Sequence, residues 1–118
     1  MAKTLNERPI PPPALRDPDA IEMLRVWIAE GQLQTSIKIG MYAESTDIPE
    51  DVAWGKILAD LARHISNALQ SGYGFKGDVL ERIQTTFVRE LGAPTRQVHG
   101  EFSSDDREAS SFFRVTRK

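Results

Sequence analysis

The stretch Leu24-Arg25-Val26-Trp27-Ile28-Ala29-Glu30-Gly31-Gln32-Leu33-Gln34-Thr35-Ser36-Ile37-Lys38-Ile39 decides the fold of this chain. Leu24, Val26 and Ile28 alternate with Met23, Arg25 and Trp27, and Leu33, Thr35, Ile37 and Ile39 alternate with Gln34, Ser36, Lys38 and Gly40. A period of two sends successive side chains to opposite faces of a strand. Glu30-Gly31-Gln32 between the two runs then supplies a hairpin turn. A helix over residues 18–30 competes, with Asp17 as N-cap, Pro18 in the first turn and Gly31 past its end. Val26-Trp27-Ile28 suits a strand better, and the hairpin is the preferred reading.

Downstream the period changes. Trp54, Leu58, Leu61, Ile65 and Ala68 step by three and four residues, a stripe along one face of an α-helix. Ile57 and Leu69 widen it to the breadth of a core-facing surface, while Lys56, Asp60, Arg63 and Asn67 line the opposite side. Asp47 with Glu50 reads as a capping box, Pro49 is tolerated in the first turn, and Ser71-Gly72 stops the helix. A second helix is expected over 78–91, with Asp78 as N-cap, a buried stripe of Val79, Leu80, Ile83, Phe87 and Leu91, and Gly92 and Pro94 to end it. Trp27, Trp54 and Tyr42 are expected as core aromatics. Truncation of Trp54 to alanine should then cost about 3–5 kcal/mol.

The flanks differ in character. Pro9, Pro11, Pro12, Pro13 and Pro18 mark residues 1–18 as an extended, flexible proline-rich lead. Residues 93–118 are polar and broken by Gly100 and Ser103-Ser104-Asp105-Asp106, so a largely irregular tail is expected. Phe112-Phe113-Arg114-Val115 could add a short strand to it. At 118 residues the chain is one domain.

Composition narrows the function classes. The absence of cysteine removes disulfides, thiolate nucleophiles and cysteine metal sites together. The first 13 residues carry no apolar run of the secretory kind, and no segment approaches the roughly 20 apolar residues that cross a bilayer. A cytoplasmic protein is the expectation. The net charge is −2, with 19–92 holding 7 Lys/Arg against 11 Asp/Glu. No dense basic face is present, which argues against nucleic acid as a partner.

Candidate chemistry gathers on the long helix. Asp60 and His64 lie four apart and share a face, where an Asp–His pair could orient a general base and Arg63 could hold an anion. No Ser or Cys nucleophile accompanies them. A plain hydrogen bond between Asp60 and His64, with Arg63 in solvent, explains the same residues. Gly72-Tyr73-Gly74-Phe75-Lys76-Gly77 matches a dinucleotide fingerprint in letters, but a helix precedes it where the fingerprint needs a strand. The loop could still hold one phosphate or carboxylate through backbone N–H groups and Lys76. His64 and His99 have no ligand spacing, so no metal site and no cofactor are expected.

Glu22-Met23-Leu24-Arg25-Val26-Trp27, Gly40-Met41-Tyr42 and Trp54-Gly55-x-x-Leu58-Ala59-Asp60-x-x-Arg63-His64-Ile65 resemble a family of short, mainly alphaproteobacterial proteins that carries a domain-of-unknown-function label. The resemblance spans roughly residues 14–98. Its members often have glycine-rich turns where Glu30-Gly31-Gln32 stands, which favours the hairpin. It brings no activity, cofactor or catalytic residue to this chain.

The expected structure is therefore α+β. An antiparallel β-hairpin packs on two antiparallel α-helices over 19–92, between the lead and the tail. A lone hairpin leaves both edges open, and pairing of hairpins across a two-fold axis would close them, so a homodimer is expected. The expected function is a non-enzymatic interaction or regulatory module, with a protein partner docking through the tails and no membrane partner. The alternative is small-molecule or anion binding by Asp60, Arg63 and His64, with Lys76.

Overall fold

The computed structural model describes residues 4–96, 98–103 and 112–117. The chain is an α+β protein. Its elements follow in the order α1 (Pro12–Arg16), β1 (Leu24–Ala29), β2 (Gln32–Lys38), α2 (Met41–Ser45), α3 (Glu50–Gly72), α4 (Val79–Gly92), β3 (Val98–Ser103) and β4 (Phe112–Arg117).

The competition over residues 18–30 ends in favour of the strand. β1 and β2 pair antiparallel, from Leu24 opposite Ile37 to Ala29 opposite Gln32. The loop is then the two residues Glu30 and Gly31, with φ of 55° and 78°. Positive φ at both central positions is the type I′ pattern, whose twist matches that of the flanking strands. Asp17, the N-cap of the rejected helix, instead accepts the Asp19 amide at 2.8 Å in a local turn.

Two departures occur at the flanks. Residues 12–16 form one helical turn where an extended lead was expected, since proline is tolerated at the first helical positions, whose N–H groups have no intrahelical partner. Residues 98–103 and 112–117 are strands where irregular backbone was expected. β3 lies parallel to β2, with Gln34 opposite His99 and Lys38 opposite Ser103, and β4 lies antiparallel to β3. The sheet order is β1-β2-β3-β4. Strand β4 coincides with the short strand that Phe112-Phe113-Arg114-Val115 allowed. The polar stretch 104–111 falls outside the described residues.

Gly100 makes the parallel pairing possible. It sits opposite Thr35 with φ of 147°, and a Cβ there would collide with the Thr35 carbonyl oxygen. Only glycine lets the two backbones approach so closely. The inner edge of the hairpin is therefore covered by the chain's own β3, and β1 remains an edge strand. Residues 6–11 of the lead lie along β1 across a cleft of about 220 Å³. Arg25 ties them down, reaching Glu7 at 3.1 Å and Glu22 at 3.1 Å. Both carboxylates hold its guanidinium more firmly charged, Glu22 the more strongly.

Helix α4 starts as expected, the Asp78 carboxylate accepting the Glu81 amide at 3.0 Å. Helix α3 does not. Pro49 occupies its N-cap without a side-chain bond, and no Asp47–Glu50 capping box forms because Glu50 points elsewhere. Helices α3 and α4 pack on each other, and α2 packs on α3. The expected core is the larger departure. Among the described residues the buried ones are Ala53, Ser66 and Val79, and no large side chain is fully buried. Trp54 and Ile57 are half-buried, whereas Leu58, Leu61 and Ile65 of the α3 stripe and Leu80, Phe87 and Leu91 of α4 are exposed. No helix among the described residues is long and apolar enough to cross a membrane.

Candidate functional site

Two features of the helical half frame the candidate site. The first is a carboxylate hub. Glu50 Oε1 accepts the amides of Tyr42 and Ala43, each at 3.0 Å, and Oε2 accepts the Gly40 amide and Trp54 Nε1, each at 2.9 Å. The hub exists because α2 begins at Gly40, which is in the left-handed region and has no side chain to cap with. The N–H groups of a helix's first turn have no intrahelical acceptor, and Glu50 provides one from the next helix. Hydrogen bonds, that from Gly40 foremost, hold the Glu50 carboxyl below the usual carboxylate range against the opposing effect of burial. This fastens the exit of the hairpin to the start of α3. Trp54 is held there by its indole N–H as well as by packing, so it is less a core residue than its place in the stripe implied.

The second feature is a groove of about 400 Å³ between α3 and α4. Gly55, Ala59 and Ala62 make its α3 wall, with Leu58 beside them; Leu80, Ile83 and Phe87 make the α4 wall. Arg63 and Gln84 are its polar side chains.

The predicted site residues do not converge. Asp60, Arg63 and His64 are all exposed. Asp60 pairs with Arg63 at 3.5 Å rather than with His64, a contact between solvated groups that adds little to stability. Arg63 alone of the three lines the groove. Lys76 lies in the connection between α3 and α4. There Arg82 Nη2 donates to the Lys76 carbonyl at 2.7 Å and Gln70 Nε2 donates to the Gly77 carbonyl at 3.3 Å. The glycine-rich fingerprint is thus an interhelical loop, with Gly74 and Gly77 at positive φ. The start of α4 already holds an anion of its own, the Asp78 carboxylate. Among the described residues no group of three or more His, Asp or Glu side chains converges as metal ligands do.

Sequence reasoning missed the Glu50 hub. Gly40 before the short run Met41-Tyr42-Ala43 was the available signal: a helix start without its own acceptor needs one from elsewhere.

An α+β chain with an open groove between two helices is the class of protein this geometry defines. The chain belongs to the DUF5076 family, a domain of unknown function, which matches over residues 7–95. Those residues hold the hairpin, α2, α3 and α4; β3 and β4 lie beyond them. The chain is also similar to a solved structure described as "a putative pyruvate dehydrogenase from the photosynthetic bacterium Rhodopseudomonas palustrus CGA009". Identity is 28%, the TM-score is 0.56, and the match covers 80% of this chain and 92% of that one. No curated protein matches the chain.

Proposed function

We propose that this protein is a non-enzymatic cytoplasmic interaction or regulatory module that acts as a homodimer. One observation carries the proposal: among the described residues no large side chain is fully buried. Apolar side chains on the helices stand open to solvent instead. Leu58, Leu61, Ile65, Leu80, Phe87, Val88 and Leu91 together expose the equivalent of between three and four whole side chains. Covering them is worth about 5–10 kcal/mol before the cost of association. A soluble protein does not leave that much apolar surface to water without a use for it.

Sedimentation velocity over a dilution series from about 50 μM to 0.5 μM, a range set by ordinary micromolar affinities, tests the proposal. A species of twice the chain mass at the upper end supports it. A stable, folded monomer throughout refutes it.

The groove offers Arg63 and Gln84, and its other lining residues are apolar or glycine. A second reading, small-molecule or anion binding by Asp60, Arg63 and His64, draws support from Arg63 at the rim of the groove. The groove volume falls within the ~300–1,000 Å³ of ligand sites. Carboxylate binding that survives both Arg63→Ala and His64→Ala, measured by calorimetry, sinks that reading.

A further inference from the structure

We infer that residues 6–11 of the lead are a releasable guard on the free edge of β1, and that the guard keeps this strand from pairing with the β1 of a second copy. The inference does not depend on the self-association proposed above; it concerns an edge that the chain covers with its own lead.

The cleft between the lead and β1 places the guard. Its wall on the sheet side is Leu24, Arg25, Val26 and Trp27 in succession. Successive residues of a strand point to opposite faces of the sheet, so a cleft that touches all four runs along the edge of the strand. β2 occupies one edge of β1, and the cleft follows the other.

The pairing register shows what that edge offers. Lys38 N–H donates to the Met23 carbonyl, and facing residues of antiparallel strands alternate between bonded and non-bonded pairs. Met23, Arg25, Trp27 and Ala29 thus bond toward β2, while Leu24, Val26 and Ile28 aim their N–H and C=O groups outward. Among the described residues no backbone hydrogen bond joins the lead to β1. The lead covers the edge without completing it, and its Pro9 and Pro11 have no N–H to give. A loop or a proline laid along an edge is a means by which sheets avoid adding strands.

The edge beneath is self-complementary. Pairing about a two-fold axis at Val26 sets Leu24 against Ile28 and Arg25 against Trp27. Arg25 is the single charge of the strand, so like charges do not face each other.

The anchor is built to let go. Arg25 holds Glu7 at 3.1 Å, and the two side chains are 36% and 45% exposed. An ion pair this open to water holds weakly. Arg25 also holds Glu22 at 3.1 Å, so the departure of Glu7 leaves it with a partner.

Sedimentation velocity of the full chain and its variants tests the guard, each compared with wild type over the same dilution series. Glu7→Lys makes the anchor repulsive at an exposed position. Losing an exposed ion pair and gaining a like-charge contact shifts the guard about fivefold toward release. Both copies must release theirs, so association should strengthen about 25-fold. Adding Arg25→Glu restores an ion pair of reversed sense and should return the wild-type behaviour. Adding Val26→Pro instead removes an outward N–H while sparing the bonds to β2, and should also cancel the gain. A Glu7→Lys chain that sediments as wild type does, or a gain that survives Val26→Pro, would overturn the inference and leave the homodimer reading of the wild type standing.

Discussion

Replacing Glu50 with alanine is the sharpest test of how the two halves are joined. The carboxylate accepts four hydrogen bonds, three from backbone amides at the start of α2 and one from the Trp54 indole. Loss of the cap on α2 costs about 1 kcal/mol. The Gly40 and Trp54 donors are part-buried, and each left without its acceptor adds about 0.5–1.5 kcal/mol, because water replaces the bond only in part. Glu50→Ala should therefore lose about 2–4 kcal/mol. For a chain of 118 residues this lowers the melting temperature by about 8–16 °C.

Far-ultraviolet circular dichroism at a fixed protomer concentration measures that loss. The sign of its pH dependence follows from the carboxyl's position. Its folded pKa lies below the unfolded value, so the stabilisation is complete above the ordinary carboxylate value of about 4.3 and fades as pH falls through the folded pKa. The gap between wild type and variant should stay constant from neutral pH to about pH 5 and narrow in more acid solution. A fall of less than about 2 °C at neutral pH, or a gap that widens with acid, would refute the hub.

Two further substitutions probe the sheet. Glu30 sits at φ of 55°, which a residue with a Cβ adopts at a cost, so Glu30→Asn should raise stability by about 0.5–1 kcal/mol by completing an Asn-Gly turn; chemical denaturation reads the gain, and a loss would mean that the turn is not type I′. Gly100→Ala should force β3 away from Thr35 and expose the amides of β2, seen as faster hydrogen exchange over residues 32–38 with the helices unchanged; unaltered exchange there would refute the parallel pairing.

The hairpin was legible because its evidence is local: alternation on both sides of Glu30-Gly31, in a register that puts Ala29 opposite Gln32. Helix α4 was legible for the same reason, Asp78 capping a periodic run. The parallel strand β3 was not, because its partner β2 is separated from it by residues 39–97 and short-range pattern carries no trace of that pairing. Glu50 was assigned to its own helix, where a capping box would have used it, and the structure spends it on its neighbour. The α3 stripe shows a subtler limit. Periodicity states that Leu58, Leu61 and Ile65 share a face; it does not state which chain covers that face. The candidate site was drawn from residue types and spacing, which brought Asp60, Arg63 and His64 onto one helix but could not show that only Arg63 reaches an opening.

The parallel pairing of β2 with β3 has a consequence for synthesis. During translation the hairpin and all the helices emerge before the segment that covers β2. At about 5–20 residues per second, the interval from residue 39 to residue 103 lasts about 3–13 s. Throughout it, the newborn chain presents a bare strand edge, the template on which one nascent chain adds to another. A premature stop near residue 95 would make that interval permanent. Such fragments should accumulate in inclusion bodies, or with chaperones that hold extended segments, while a chain that runs on through β3 seals that edge of its own sheet.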